Sequence, residues 1–157
     1  MRKLILLLLL YMAVSLTVYA DRAPEFSIAA DAGQIKLSQL RGAVVYVDFW
    51  ASWCVPCRKS FPWLNEMHRR YAKAGLRIIA INLDEDGSLA RAFLKQYPAE
   101  FSVGFDPAGH SARVYGLQGM PSSYLIDRKG ELVYSHVGFR SADRGELERK
   151  IRQALGK

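Results

Sequence analysis

The fold is decided by residues 44–57, which read Val44-Val45-Tyr46-Val47-Asp48-Phe49-Trp50-Ala51-Ser52-Trp53-Cys54-Val55-Pro56-Cys57. The first part is continuously apolar except for Asp48, which is typical of a strand covered on both faces. A helix is predicted beyond the cysteines, because Phe61, Leu64, His68 and Tyr71 recur at helical spacing. The two cysteines therefore lie where a buried strand gives way to a helix.

This position predicts redox chemistry for the cysteine pair. A thiolate at a helix N-terminus meets unpaired N–H groups and the positive end of the helix dipole, which lower its pKa from about 8.5 into the range of about 3.5–7.5. We therefore predict that Cys54, at the helix start, is the attacking sulfur. Cys57, one turn further along, is predicted to displace the partner from the mixed disulfide and to close a Cys54–Cys57 bond.

Two other uses of the pair are less favoured. A zinc site needs four ligands, but the chain has only two cysteines, and His68, His110 and His136 are scattered without ligand spacing. A static disulfide between residues three positions apart would constrain the unfolded chain little. We expect neither a metal nor another cofactor.

Two acidic residues are candidates for catalysis. Asp48 interrupts an apolar strand, where burial penalises its charged form, and we predict that it accepts the proton of Cys57, through water. The alternative is a structural, hydrogen-bonded Asp. Glu85 follows the next predicted strand and is a second candidate, because sites in open α/β sheets gather at the carboxyl ends of the strands. Its alternative is an exposed acidic loop.

The remaining pattern predicts an α/β fold with a mixed sheet and helices on both faces. A hairpin is predicted around Asp31-Ala32-Gly33, and an antiparallel strand pair around Asp127-Arg128-Lys129-Gly130. Leu89, Phe93 and Tyr97 mark a second helix, and Asp143 with Glu146 is predicted to cap the last one. Further strands are predicted at residues 76–83 and 101–105, and a short helix at 108–115.

The N-terminal segment and the net charge indicate where the protein works and which partners it has. Residues 1–20 combine a basic start, an apolar run and small side chains before a possible cut after Ala20, which predicts a signal peptide or, if it is retained, an N-terminal membrane anchor. Residues 21–157 are then one domain working outside the cytoplasm, in the periplasm. The net charge is +7, but the basic residues are spread among acidic ones rather than gathered in a patch, so we expect no nucleic-acid partner.

Two motifs resemble the thioredoxin superfamily: residues 47–57 with the later Pro62, and Gly119-Met120-Pro121-Ser122 followed by Tyr124-Leu125-Ile126-Asp127. The leader, the hairpin and an extra helix and strand between the motifs look most like the TlpA/ResA branch of exported thiol-disulfide oxidoreductases. The resemblance implies a thioredoxin-like sheet and Val55-Pro56 as the structural motif between the cysteines. Asp48 departs from it, because that branch often has Asn there.

The resemblance also implies how partners bind and what they are. A cis bond before Pro121 would turn the Met120 backbone toward the cysteines, so that a partner segment pairs with it, while Trp53 offers apolar docking area. Implied substrates are exported proteins with disulfides, either haem-binding cysteines of apocytochromes c or copper-site cysteines, with electrons from a membrane-bound donor. Because Val55 and Pro56 place no side-chain donor or cation near Cys54, we expect the Cys54/Cys57 pair to be a reducing couple. The alternative function is a Cu(I) metallochaperone using the same cysteines.

Overall fold

The computed structural model describes residues 22–157, and the predicted leader at residues 1–20 lies outside the described part. Seven strands form one sheet in the order β2-β1-β5-β4-β3-β6-β7. The strands are β1 (Ser27–Ala30), β2 (Gly33–Lys36), β3 (Val44–Trp50), β4 (Leu76–Asn82), β5 (Ser102–Phe105), β6 (Ser122–Ile126) and β7 (Leu132–Val137). The helices are α1 (Cys57–Tyr71), α2 (Gly87–Gln96), α3 (His110–Val114) and α4 (Arg144–Leu155).

The sheet is mixed, as the sequence predicts. Strands β3, β4 and β5 are parallel neighbours, while β6 runs antiparallel to β3 and β7 antiparallel to β6. The hairpin β1–β2 joins the other side through antiparallel pairing of β1 with β5. Helix α2 and strand β5 form the predicted insertion between the cysteine motif and the Pro121 loop, and the predicted mixed sheet flanked by helices is confirmed.

Two apolar layers cover the sheet. Helices α1, α2 and α4 pack on one face, together with the cysteine pair. The other face is covered by the N-terminal segment, a 3-10 turn at Leu37–Leu40 and the short helix α3. Every residue of β3 is buried, because this central strand lies between both layers. Its alternate side chains, including Tyr46, Asp48 and Trp50, point to the face that carries α1.

The helix predicted from Leu89, Phe93 and Tyr97 is confirmed as α2, which buries Ala90 and Phe93 against the aromatic cluster of α1 and leaves Leu89 half exposed. One local prediction was wrong. The Asp143 carboxylate does not cap α4; it accepts from the Arg140 N–H and closes the 3-10 turn at Ser141–Asp143 just before the helix. In residues 22–157, no helix has the length and apolar content needed to span a bilayer.

Candidate active site

The turn that carries the cysteines is tighter than the sequence predicts. The N–H of Cys57 donates to the Cys54 carbonyl at 3.1 Å, and the N–H of Arg58 donates to the Val55 carbonyl at 3.2 Å. Such i→i−3 bonds form a 3-10 turn, which is common at helix N-termini. Helix α1 therefore begins at Cys57, and Cys54 lies in the turn before it rather than at its first residue.

The structure joins Cys54 and Cys57 in a disulfide, the oxidised state of the predicted pair. The backbone N–H of Cys57 is also 3.3 Å from the Sγ of Cys54, in hydrogen-bonding geometry. An N–H aimed at this sulfur favours negative charge on it after reduction. Cys57 is wholly buried, whereas Cys54 keeps about 2% of its surface exposed. Of the two cysteines, Cys54 alone therefore has surface that a partner could touch.

Apolar side chains flank Cys54 on both sides in the chain. Trp53 is 66% exposed and Val55 is 59% exposed, which is unusual for such large apolar groups. Exposed apolar surface next to a reactive group is typical of a docking site. The sequence predicts docking for Trp53 and only a structural role for Val55, which the structure places in the tight turn with its side chain exposed.

Asp48 is buried on the face of the sheet that carries the cysteines. Its side chain is 1% exposed, and its Oδ1 accepts a hydrogen bond from the Ser123 hydroxyl at 2.8 Å. Burial raises the pKa of Asp48 to about 7, although the Ser123 hydrogen bond counteracts this. Its Oδ2 has no hydrogen-bond partner among the described residues. Such a group can take up and release a proton near neutral pH.

Asp84 is a residue of the site that the sequence analysis missed. Its buried carboxylate accepts from the Ser52 N–H at 2.8 Å, from the Ser52 hydroxyl at 2.9 Å and from the Asn82 side-chain amide at 2.7 Å. It thereby ties the end of β4 to the loop that leads into Cys54. The available signal was the alternation of Asn82 and Asp84 at the end of an apolar strand, which places both side chains on one side.

The remaining candidates lie at the same end of the sheet, in different settings. Glu85 is exposed and lines a small surface cavity with Arg91 and Phe105, and no described contact links it to the disulfide. The peptide bond between Met120 and Pro121 is cis, which confirms the expectation for that bond. Met120 is half buried and packs on the apolar cluster that contains the cysteine pair. The roles of Glu85, Met120 and Pro121 stay predictions.

Within the described chain, no three His, Cys, Asp or Glu side chains cluster as they would around a metal ion. The site presents the Cys54–Cys57 disulfide, a buried acid on the same face of the sheet and exposed apolar flanks. These groups suit exchange of a disulfide with a partner.

Comparison with known proteins gives concordant matches. The family model described as Redoxin matches residues 19–153. The thiol-disulfide oxidoreductase ResA of Bacillus thuringiensis subsp. konkukian is 34% identical over 149 residues, covering 87% of this chain and 86% of that protein. ResA of Bacillus subtilis is 30% identical, covering 82% and 79%.

Solved structures give matches of the same kind. A putative thiol:disulfide interchange protein DsbE from Chlorobium tepidum superposes with a TM-score of 0.86 at 52% identity, covering 87% of this chain and 97% of that chain. A putative protein disulfide isomerase from Bacteroides thetaiotaomicron superposes with a TM-score of 0.79 at 30% identity, covering 88% and 90%.

Proposed function

This chain belongs to the Redoxin family and is a ResA-like thiol-disulfide oxidoreductase with a thioredoxin-like fold; from this premise we propose that it acts outside the cytoplasm as a reductase of specific protein disulfides. The observation that carries the proposal is the Cys54–Cys57 disulfide, in which the sulfur of Cys54 faces a backbone N–H and Cys57 is fully buried. This asymmetry gives the two sulfurs different tasks.

The proposed reaction begins from the reduced pair. The Cys54 thiolate attacks one sulfur of a substrate disulfide, and the second substrate sulfur leaves as a thiolate that takes a proton. Cys57 then loses its proton and attacks the Sγ of Cys54. The first substrate sulfur leaves as a thiolate and is protonated in turn, and the Cys54–Cys57 bond closes. Two electrons have passed from the protein dithiol to the substrate disulfide.

Asp48 is proposed to take the proton of Cys57 in the second step. It shares the cysteines' face of the sheet, and its pKa of about 7 lets it accept a proton at neutral pH and return it in the next cycle. The unpartnered Oδ2 supports this role, because a purely structural carboxylate would satisfy both oxygens. The proton transfer is proposed to run through a water molecule.

Partner binding is proposed to use three groups beside the disulfide. Trp53 and Val55 offer apolar area to a segment of the partner, and their exposure supports this. The backbone of Met120, before the cis bond to Pro121, is proposed to pair with that segment as an added strand. Backbone pairing recognises an extended chain without demanding much of its sequence.

The proposed location is the periplasm, either free after cleavage at Ala20 or tethered through residues 1–20. The leader pattern in the sequence supports export. We propose that the substrates are haem-binding cysteines of apocytochromes c or copper-site cysteines of other exported proteins. A membrane-bound dithiol donor is proposed to reduce the Cys54–Cys57 bond again, because the surrounding compartment supplies no reductant.

Trapping with Cys57→Ala tests the proposal. Removing Cys57 blocks the second step, so Cys54 should stay bound to its substrate in a mixed disulfide that is visible on a non-reducing gel and can be identified by mass. The matched control, Cys54→Ser with Cys57 intact, should yield no such complexes and no disulfide reduction. Equal trapping by both variants, or trapping only of cytoplasmic proteins, would contradict the proposal.

A further inference from the structure

Within the described structure the Asp48 side chain receives a single hydrogen bond, and its donor comes from a distant part of the sequence. Asp48 on β3 and Ser123 on β6 are direct register partners, so their side chains emerge side by side on the same face. The Ser123 hydroxyl donates to Oδ1 at 2.8 Å. Among residues 22–157, no group donates to Oδ2, although this oxygen is also buried. The two oxygens of one carboxyl group are therefore unequal.

The other neighbours of Asp48 do not supply a compensating charge. Its register partner on β4 is Ala80, and the residues that α1 and α4 bury on this face are apolar apart from the cysteine pair and Ser60. The titratable groups nearby are Tyr46 on β3 and, on β7, Tyr134 and His136, the last of which lies opposite Ser123. Burial raises the pKa of Tyr46 far above its usual range, so its phenol stays neutral.

We infer that Ser123 is a positioning residue for the resolving step: by occupying Oδ1 it fixes the Asp48 carboxyl group and leaves Oδ2 as the oxygen that accepts the proton of Cys57. This inference rests on the proposed role of Asp48. Strand β6 thereby has a part in the chemistry, in addition to the part proposed for the loop at Met120 and Pro121. Ser123 touches Asp48 and acts only through it.

Ser123 also has a defined electrostatic effect. A hydrogen bond donated to a carboxylate favours its charged form, whereas burial favours the neutral form. At Asp48 the two effects oppose each other, with burial the larger. Without the hydroxyl, the pKa of Asp48 should rise further and the proton acceptor should be available only at higher pH.

The test compares Ser123→Ala with Ser123→Thr, which keeps a hydroxyl. Ser135→Ala is the matched control, because Ser135 is an exposed serine on β7 that is not part of the Asp48–Ser123 pair. Two quantities are measured: the titration midpoint of the Asp48 carboxyl carbon by NMR in the oxidised protein, and the pH profile of mixed-disulfide resolution in the reduced protein. A purely structural serine would lower stability without moving either midpoint.

For Ser123→Ala we expect both midpoints to rise by about one pH unit, with resolution about tenfold slower at pH values below the midpoint. Ser123→Thr should restore both midpoints, and Ser135→Ala should match the parent protein. Unchanged midpoints in Ser123→Ala, or a Ser123→Thr variant that behaves like Ser123→Ala, would overturn the inference. Asp48→Asn separates the two ideas: if it resolves mixed disulfides at the parent's rate at every pH, the proposed role of Asp48 itself is wrong.

Discussion

The Asp48 carboxyl group lies in surroundings that penalise its charge. It is almost completely buried, and among the described residues only the Ser123 hydroxyl offsets the lost hydration. An isolated buried charge is costly to a folded protein, and a group that shifts its pKa toward neutrality avoids part of this cost. Burial of this carboxyl group therefore lowers the stability of the folded protein at high pH.

The first prediction concerns Asp48→Asn. The ordinary pKa of an aspartate is 3.8, whereas that of Asp48 in the folded protein is about 7, so the folded state binds the proton more tightly than the unfolded state. The contribution of Asp48 to stability is therefore most favourable below about pH 4 and is lost as the pH rises to about 7. Asparagine does not ionise and should escape this loss. At pH 8 the oxidised variant should be more stable than the parent by roughly 2–4 kcal/mol.

Urea unfolding of both oxidised proteins at pH 4 and pH 8 measures this difference. The advantage of the variant should shrink at pH 4, where the parent carboxyl group is protonated in the folded state. Asp31→Asn, at an exposed position, is the control and should show no comparable change between the two pH values. The same stability difference at both pH values would mean that Asp48 does not titrate in this range.

At the scale of elements, the active-site loop depends on the end of β4. The loop residue Ser52 gives two hydrogen bonds to Asp84, and the Leu83 N–H donates to the Trp50 carbonyl. These contacts join the ends of two parallel strands just before Cys54. The position of Cys54, the proposed attacking residue, is therefore set partly by β4, a strand that carries no cysteine.

The second prediction compares Asp84→Ala with Asp86→Ala. Removing the Asp84 carboxylate leaves three donors from Ser52 and Asn82 without their acceptor, which should cost about 2–4 kcal/mol of unfolding free energy. Because the loop before Cys54 loses its anchor, disulfide reduction should also slow.

Asp86 is the matched control two residues away. It caps the exposed start of α2 through the Ser88 N–H, so its loss should lower stability less and leave reduction unchanged. Thermal unfolding and the rate of insulin disulfide reduction measure both effects. Equal loss of reduction rate in the two variants would show that Asp84 acts through general stability alone.

The third prediction concerns the contact of the hairpin with the sheet. At Gly104 on β5, an added Cβ would lie 2.2 Å from the Ile28 Cδ1 and 3.3 Å from the Ala29 carbonyl oxygen. Gly104→Ala should therefore push β1 away from β5 and cost about 1–3 kcal/mol. Gly87→Ala meets no atom within 4 Å and is the control. Hydrogen exchange at the β1 amides should increase only in Gly104→Ala; equal protection in both variants would contradict the contact.

At the scale of the whole molecule, the direction of electron flow depends on how strongly the fold stabilises the Cys54 thiolate. In the described chain, the only hydrogen bond to this sulfur comes from the Cys57 N–H. Val55 and Pro56 add neither a side-chain donor nor a cation. Weak stabilisation of the thiolate favours a reductant, since about 30 mV corresponds to about 1.4 kcal/mol in a two-electron couple.

The fourth prediction is a reduction potential more negative than roughly −200 mV. Equilibration of the pair with glutathione at known ratios, followed by quantification of the reduced and oxidised forms, measures it. Cys57→Ala cannot form the ring and serves as the blank. A potential near about −120 mV, typical of strong oxidants, would overturn the assignment as a reductase.

The local sequence pattern was enough to predict the fold class and the reactive cysteine pair. The apolar run of β3, the helical spacing beyond it and the two cysteines three positions apart predict the strand, α1 and the redox centre, because each depends on neighbours in the chain. The periodicity also predicted α2, but the choice of its buried side chains, Ala90 and Phe93 rather than Leu89, was decided by packing against α1.

Sequence alone thus determined that this protein has an α/β core, a disulfide-exchange pair and a buried acid in its central strand. Only the tertiary structure decided which groups meet these residues: Ser123 lies 75 positions from Asp48, and Asp84 lies 32 positions from Ser52. Such partners are brought together by strand register and by the common edge of parallel strands. Both arise when the sheet assembles, so no stretch of sequence read by itself contains them.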